Sequence, residues 1–319
     1  MHGPVGLFAD VIPFPPRPRP PRQARTRRAS RHPIVVTTPG TTSHTTPRHD
    51  PHPAHPRRSD EGRDDTMTVL RPALADSLRT LKLSGMLETL DARLAQAQGG
   101  DLGYLEFLQI LCDDEITRRE QVAMTRRLRR ARVDTETTLE GFDFGANSKR
   151  PAAQIRDLAA LRWPQAGESV ILFDAVGVGK THVAQAMGYL AIRAGAEVRF
   201  HKTSRILADL AGGHADRTFD KRLAAHVKAD LLILDDFAMR EFTPGQADDF
   251  YELISQRIAE GRSNAITANR APQDWYPLFP NPVVAESLLD RLINNSHQVF
   301  MNGPSYRPNK RPKAPATAK

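Results

Sequence analysis

A single cysteine, Cys112, stands in 319 residues, which excludes an internal disulfide framework and any cysteine-built zinc cluster. One unpaired thiol fits a reducing compartment, so a cytoplasmic location is expected. Long apolar runs are missing. None approaches the ~20 residues a membrane-spanning helix needs, and no membrane partner is expected. The opening Met1-His2-Gly3-Pro4 lacks the basic segment and apolar core of a secretory signal.

Lysine is absent from the first 66 residues, which carry 11 arginines against 6 acids and so hold +5 of the formal net charge of +8. A sequence pI of about 9.9 favours an anionic partner such as nucleic acid. Because most of the excess lies in the leader, the charge says less about the folded part. Residues 1–66 also hold 13 of the 25 prolines and 6 of the 11 histidines, without metal-ligand spacing. Such a stretch buries too little apolar surface to offset the entropy of ordering it, so a disordered leader is expected. Its functional alternative is a basic arm on DNA phosphates. At Met67 the composition changes at once, and Met67 is expected to be the real start, the leader being either a translated upstream segment or a dispensable tail.

Residues 70–132 have helical periodicity. Leu78, Leu81, Leu83, Met86, Leu87, Leu90 and Leu94 form one amphipathic series, and Gly99-Gly100-Asp101 marks a turn. Asp101 is the expected N-cap of the next helix. That helix ends in Arg126-Arg127-Leu128-Arg129-Arg130-Ala131-Arg132, five arginines in seven residues. They wrap more than half a helix and cannot all pair with nearby acids. They read either as contacts to DNA phosphates or as a solvated helical face. After the turn-rich Phe142-Asp143-Phe144-Gly145-Ala146-Asn147, short apolar runs alternate with helices, the pattern of a parallel sheet covered by helices. Strands are expected at 170–173, 197–200, 231–234, 264–268 and 298–301.

The chemistry concentrates where the apolar Ile171-Leu172-Phe173 ends in Asp174-Ala175-Val176-Gly177-Val178-Gly179-Lys180-Thr181-His182. A glycine-bearing loop between a buried strand and a helix N-terminus points backbone N–H groups and the positive helix end at a polyphosphate. Gly177, Val178, Gly179 and His182 belong to this cradle. Lys180 is placed to reach the terminal phosphates of such a ligand, and the Thr181 hydroxyl to sit on Mg²⁺. Asp174 stands where the G-x-x-x-x-G-K-[ST] pattern has its first glycine. A carboxylate there predicts weaker nucleotide affinity.

Leu231-Leu232-Ile233-Leu234-Asp235-Asp236 is a buried run ending in two acids. Asp235 is expected to hold Mg²⁺, directly or through water, and Asp236 to polarise the attacking water. Ala265-Ile266-Thr267-Ala268-Asn269 ends another strand in Asn269, read as a γ-phosphate contact or as a turn residue. Arg291, in Leu288-Leu289-Asp290-Arg291-Leu292, reads as a finger reaching a neighbouring subunit or as a partner of Asp290 or Glu286.

Taken in order, these motifs resemble the IstB-like ATP-binding proteins, transposition helpers of one insertion-sequence family related to DnaC-type helicase loaders. The resemblance rests on Gly177 to His182, Leu234-Asp235-Asp236-Phe237, Ile266-Thr267-Ala268-Asn269-Arg270 with Asp274-Trp275, Leu289-Asp290-Arg291-Leu292, and Gly303-Pro304-Ser305-Tyr306-Arg307. It implies an α/β fold: an AAA+ P-loop NTPase core with a parallel sheet, preceded by a small all-helical domain; the leader expected to be disordered from its composition has no counterpart in the family. The expected division is a leader at 1–66, a helical DNA-binding domain at 67–140, the ATPase domain at 141–307 and a basic disordered tail at 308–319. It also implies duplex DNA, a transposase of the same element and a nucleotide-dependent homo-oligomer as partners, with ATP and Mg²⁺ at the site. Lys180 and Thr181 would be Walker A residues, Asp235 and Asp236 Walker B, Asn269 the sensor and Arg291 the arginine finger. Asp236 replaces the more frequent glutamate. The alternatives are a replicative helicase loader, which prefers single strands, and a DNA-binding scaffold with a degraded nucleotide site. A small-molecule kinase fits the series of motifs poorly.

Overall fold

The computed structural model describes Phe14 and residues 72–100, 102–146 and 151–306. The expectations for the rest of the leader and for the tail lie outside the described residues. Phe14 itself donates its N–H to the Ala194 carbonyl at 2.9 Å and packs against the core.

Three helices come first: α1 (Pro72–Thr80), α2 (Ser84–Gly99) and α3 (Tyr104–Ala131). A short turn joins α2 to α3, and they pack as a helical hairpin. Arg93 grips Asp114 with two 2.9 Å bonds, and Arg118 reaches Glu88 at 2.9 Å. The helices meet so closely at Gly85 that a Cβ there would lie 2.7 Å from the Glu115 Cα. The Gly85 N–H instead donates to the buried Glu115 carboxylate at 2.6 Å. The N-cap of α3 is Gly103 rather than Asp101, and Asp101 lies outside the described residues. The Glu106 carboxylate supplies the acceptor for the Gly103 N–H, at 3.2 Å. Arg132, in the left-handed region at φ 58°, stops α3.

Next come α4 (Ala152–Ala159), α5 (Arg162–Gln165), β1 (Ser169–Phe173), α6 (Lys180–Arg193), β2 (Val198–Lys202), α7 (Thr203–Ala215) and α8 (Phe219–Val227). The chain finishes through β3 (Leu231–Phe237), α9 (Pro244–Ala259), β4 (Ser263–Ala268), α10 (Pro282–Asn294) and β5 (Ser296–Phe300). The five strands form one parallel sheet in the order β2-β3-β4-β1-β5. Val170, Leu172, Leu231 and Ile233 face a core shared with α6, while Ile171, Leu232 and Leu234 face one shared with α7 to α10. Burial on both faces explains why the strands read as unbroken apolar runs.

Two strands run further than the apolar pattern suggests. β2 continues to Lys202. β3 reaches Phe237 through a register shift against β4 between Leu234 and Phe237, with Asp236 at φ 56°. On a regular strand Asp235 and Asp236 would face opposite sides; the bulge re-aims them at the sheet's carboxyl end.

Arg257 on α9 is fully buried. It donates to the Asn264 side chain at 2.7 Å, to the carbonyls of His226, Val227 and Ala229 at 2.8, 3.1 and 2.9 Å, and to Ser263. Burial, with Arg262 nearby, pulls its pKa down to about 9. This one guanidinium ties the end of α8 to β4.

Candidate functional site

Ligands of open α/β sheets bind beyond the carboxyl ends of the strands. Here that edge gathers Val176, Gly177 and Gly179 of the loop, Asp236 of β3 and Asn269 around a cavity of about 500 Å³. Gly177 and Gly179 sit at φ 87° and 104°, and Gly179 caps α6. A Cβ on Gly179 would also lie 2.7 Å from the Phe142 ring, so the position excludes a side chain twice over. Asp174 adopts φ 119°, a region that favours glycine. Holding a non-glycine residue there costs about 1–3 kcal/mol.

Lys180 is only 7% exposed, and its ammonium donates to the Asp174 and Ala175 carbonyls at 2.6 and 2.7 Å. A phosphate must draw the ammonium from these carbonyls. Thr181 donates its hydroxyl to the Asp235 carboxylate at 2.7 Å, across 54 residues of sequence. Thr267 donates to the same oxygen at 2.6 Å and accepts the Asp236 N–H at 3.1 Å. Asp235, 3% exposed, is thereby fixed by two hydroxyls. Among the described residues no three His, Cys, Asp or Glu gather as a metal cage. The hydroxyl and carboxylate of Thr181 and Asp235 nevertheless suit Mg²⁺, which takes one or two protein oxygens and completes its shell with water and phosphate.

Asp236 lines the cavity and pairs with Lys202 at 2.9 Å. That pairing, together with the field of Asp235, raises the Lys202 pKa. Asn269 also lines the cavity, its amide 2.9 Å from the Met239 sulfur. The His182 ring bonds the Thr138 carbonyl at 2.8 Å and lies 5.2 Å from the Phe142 ring. After β5 the chain returns across the loop, where the Tyr306 N–H donates to the Gly177 carbonyl at 2.9 Å. Of the expected cradle, Gly177, Gly179, Lys180, Thr181 and His182 line the cavity, while Val178 turns fully into the core.

Arg291 lies apart from this cavity, exposed on α10 and with no carboxylate within 4 Å among the described residues. Asp290 instead accepts the Tyr276 hydroxyl at 2.6 Å, which pushes the phenol up to about 12. Arg126, Arg127, Arg129 and Arg130 lie in the last turns of α3 and Arg132 is its C-cap. Arg127 and Arg130 each stand 3.9 Å from Glu197. Arg126, Arg129 and Arg132 are exposed with no ion pair among the described residues. One strand length, about 16 Å, separates this basic end of β2 from Lys202.

Sequence reading missed Lys202 and Thr267 as site residues and took Phe142 for part of a connection. Tyr306 was visible only as part of a terminal motif.

A parallel sheet of this order, with a phosphate loop after β1 and paired carboxylates ending β3, defines a P-loop NTPase fold of the AAA+ class. The IstB-like ATP binding protein family of IS21 elements matches residues 76–314, and the chain belongs to that family. It is 65% identical over 246 residues to an insertion-sequence ATP-binding protein of Mycobacterium tuberculosis, covering 77% of this chain and 98% of the relative. It is 34% identical over 237 residues to the IS21 ATP-binding protein of Pseudomonas aeruginosa, covering 74% and 89%. Among solved structures, the DnaC helicase loader aligns with 53% of this chain and 98% of its own at 19% identity and a TM-score of 0.47. Among the described residues no helix is long and apolar enough to cross a membrane.

Proposed function

We propose that this chain binds and hydrolyses ATP, assembles as a nucleotide-dependent homo-oligomer on duplex DNA, and directs or stimulates the transposase of its own element. The observation that carries the ATP part is the Thr181–Asp235 hydrogen bond of 2.7 Å, which joins the phosphate loop to β3. The names of the relatives, ATP-binding proteins of insertion sequences, support the setting.

In this reading the N–H groups of the loop and of the first turn of α6 cradle the phosphates, and Lys180 turns from its two carbonyls to the terminal ones. Thr181 and Asp235 would hold Mg²⁺, which neutralises charge on the phosphate oxygens. Asp236 orients the attacking water, Asn269 contacts the γ-phosphate, and Arg291 acts on the site of an adjoining subunit. The rings of Phe142 and His182 border the space left for the base. The helical domain at 67–140 meets DNA phosphates through Arg126, Arg127, Arg129, Arg130 and Arg132.

Sedimentation of the full chain with a duplex, with and without a non-hydrolysable ATP analogue, tests the assembly. A large species that needs both components and is lost in Lys180→Ala is expected. Assembly on single strands alone would replace the reading with a helicase loader, and absence of nucleotide binding would leave a DNA-binding scaffold.

A further inference from the structure

A second basic surface lies on the ATPase domain, away from the nucleotide. A groove of about 610 Å³ runs between the end of α3, the start of β2 and α8. Among the described residues, Arg130, Arg199, Lys221 and Lys228 line it against a single acid, Glu197. These four cations come from three elements and are far apart in sequence, so no local run announces them.

Glu197 does little to neutralise the groove. Arg127 and Arg130 stand 3.9 Å from its carboxylate, beyond hydrogen-bond length, and they share it. The next acid, Asp230, accepts the Glu197 N–H at 2.8 Å and pairs with Arg262 at 2.5 Å. Arg199 and Lys221 have no carboxylate within 4 Å among the described residues.

The rest of the lining is Val198, Ala224, Ala225 and Ala229, small side chains that let a bulky anion approach the cations. Among the described residues no aromatic side chain lines the groove, so these residues offer no platform on which an unpaired base can stack. Spread cations over an uncharged floor, without stacking groups, suit the phosphate backbone of a duplex.

We infer that this groove is a phosphate-binding surface for duplex DNA, through which a backbone leaving the α3 arginines is carried onto the ATPase domain by Arg199, Lys221 and Lys228. The inference rests on the DNA reading above and extends it to residues outside the helical domain.

Fluorescence anisotropy of a labelled duplex with the full chain and ATP, across a range of salt, tests it. Each phosphate contact removed lowers the slope of log affinity against log salt by about 0.9, so Lys221→Ala with Lys228→Ala lowers it by about 1.8. Affinity at fixed salt falls roughly tenfold, and charge reversal with Lys221→Glu and Lys228→Glu weakens it further. ATP affinity stays unchanged in both, which verifies the fold. If the groove variants keep the wild-type slope while Arg126→Ala with Arg129→Ala lowers it, the groove is overturned and the DNA reading stands. If the wild type binds no duplex at any salt, both fall.

Discussion

The ammonium of Lys202 lies 2.9 Å from the Asp236 carboxylate, so the acid that faces the phosphate loop is held by a cation from the edge strand. In parallel register Lys202 stands opposite Asp235, which places its side chain beside Asp236. Both partners are substantially exposed, so the pair contributes at most ~1 kcal/mol to stability. Its consequence is chemical. The ammonium engages a carboxylate oxygen that would otherwise be open to orient the attacking water. Lys202→Met is expected to raise DNA-independent ATP turnover several-fold with an unchanged melting temperature. Turnover at or below wild type would show that Lys202 assists the chemistry instead.

Asp174 occupies a backbone conformation suited to glycine, at φ 119°, and brings a carboxylate to the loop. Asp174→Gly relieves both. The variant should be about 1 kcal/mol more stable. It should also bind ATP about tenfold more tightly, equivalent to about 1.4 kcal/mol. Isothermal titration reads the affinity, and an unchanged value would mean that the carboxylate points clear of the phosphates.

Arg257 satisfies four carbonyls and the Asn264 side chain from a fully buried position. Arg257→Leu strips all five acceptors of their donor inside the core. The expected loss is about 3 kcal/mol or more in chemical denaturation. A midpoint equal to wild type would contradict the role given to this side chain.

His201 is held down at about 4 by burial first, then by His226, Arg132 and Arg199, with Asp209 opposing. His226 is lowered too, again mainly by burial. Unfolded, these rings take a proton near pH 6.5, so between about 6.5 and 4 the unfolded chain binds more protons than the folded one. Stability is therefore lost as pH falls through that window. The urea midpoint should be lower at pH 5 than at pH 7, with a smaller difference in His201→Gln. Equal midpoints for the wild type would contradict the assigned environment.

The polar ends of strands were legible because the chemistry there needs fixed residue types. Lys180, Thr181 and Asp235 follow from a glycine loop opening a helix and an acid closing an apolar run, and the fold brings all three together. Lys202 and Thr267 were not legible, because they enter through the register of strands far apart in sequence. The β3 bulge was hidden for a related reason: alternation predicts opposite faces for Asp235 and Asp236, and only the left-handed Asp236 reverses that. The arginines ending α3 were readable as a cluster. The place of Arg127 and Arg130 beside Glu197, just before β2, belongs to tertiary packing.

The central claim is a nucleotide site that works with duplex DNA. Its most direct test is ATP turnover by the full chain alone, with a duplex and with a single strand, beside Lys180→Ala. Turnover stimulated by the duplex and abolished in Lys180→Ala is the predicted result. No turnover under any of these conditions, or stimulation by single strands only, would contradict it.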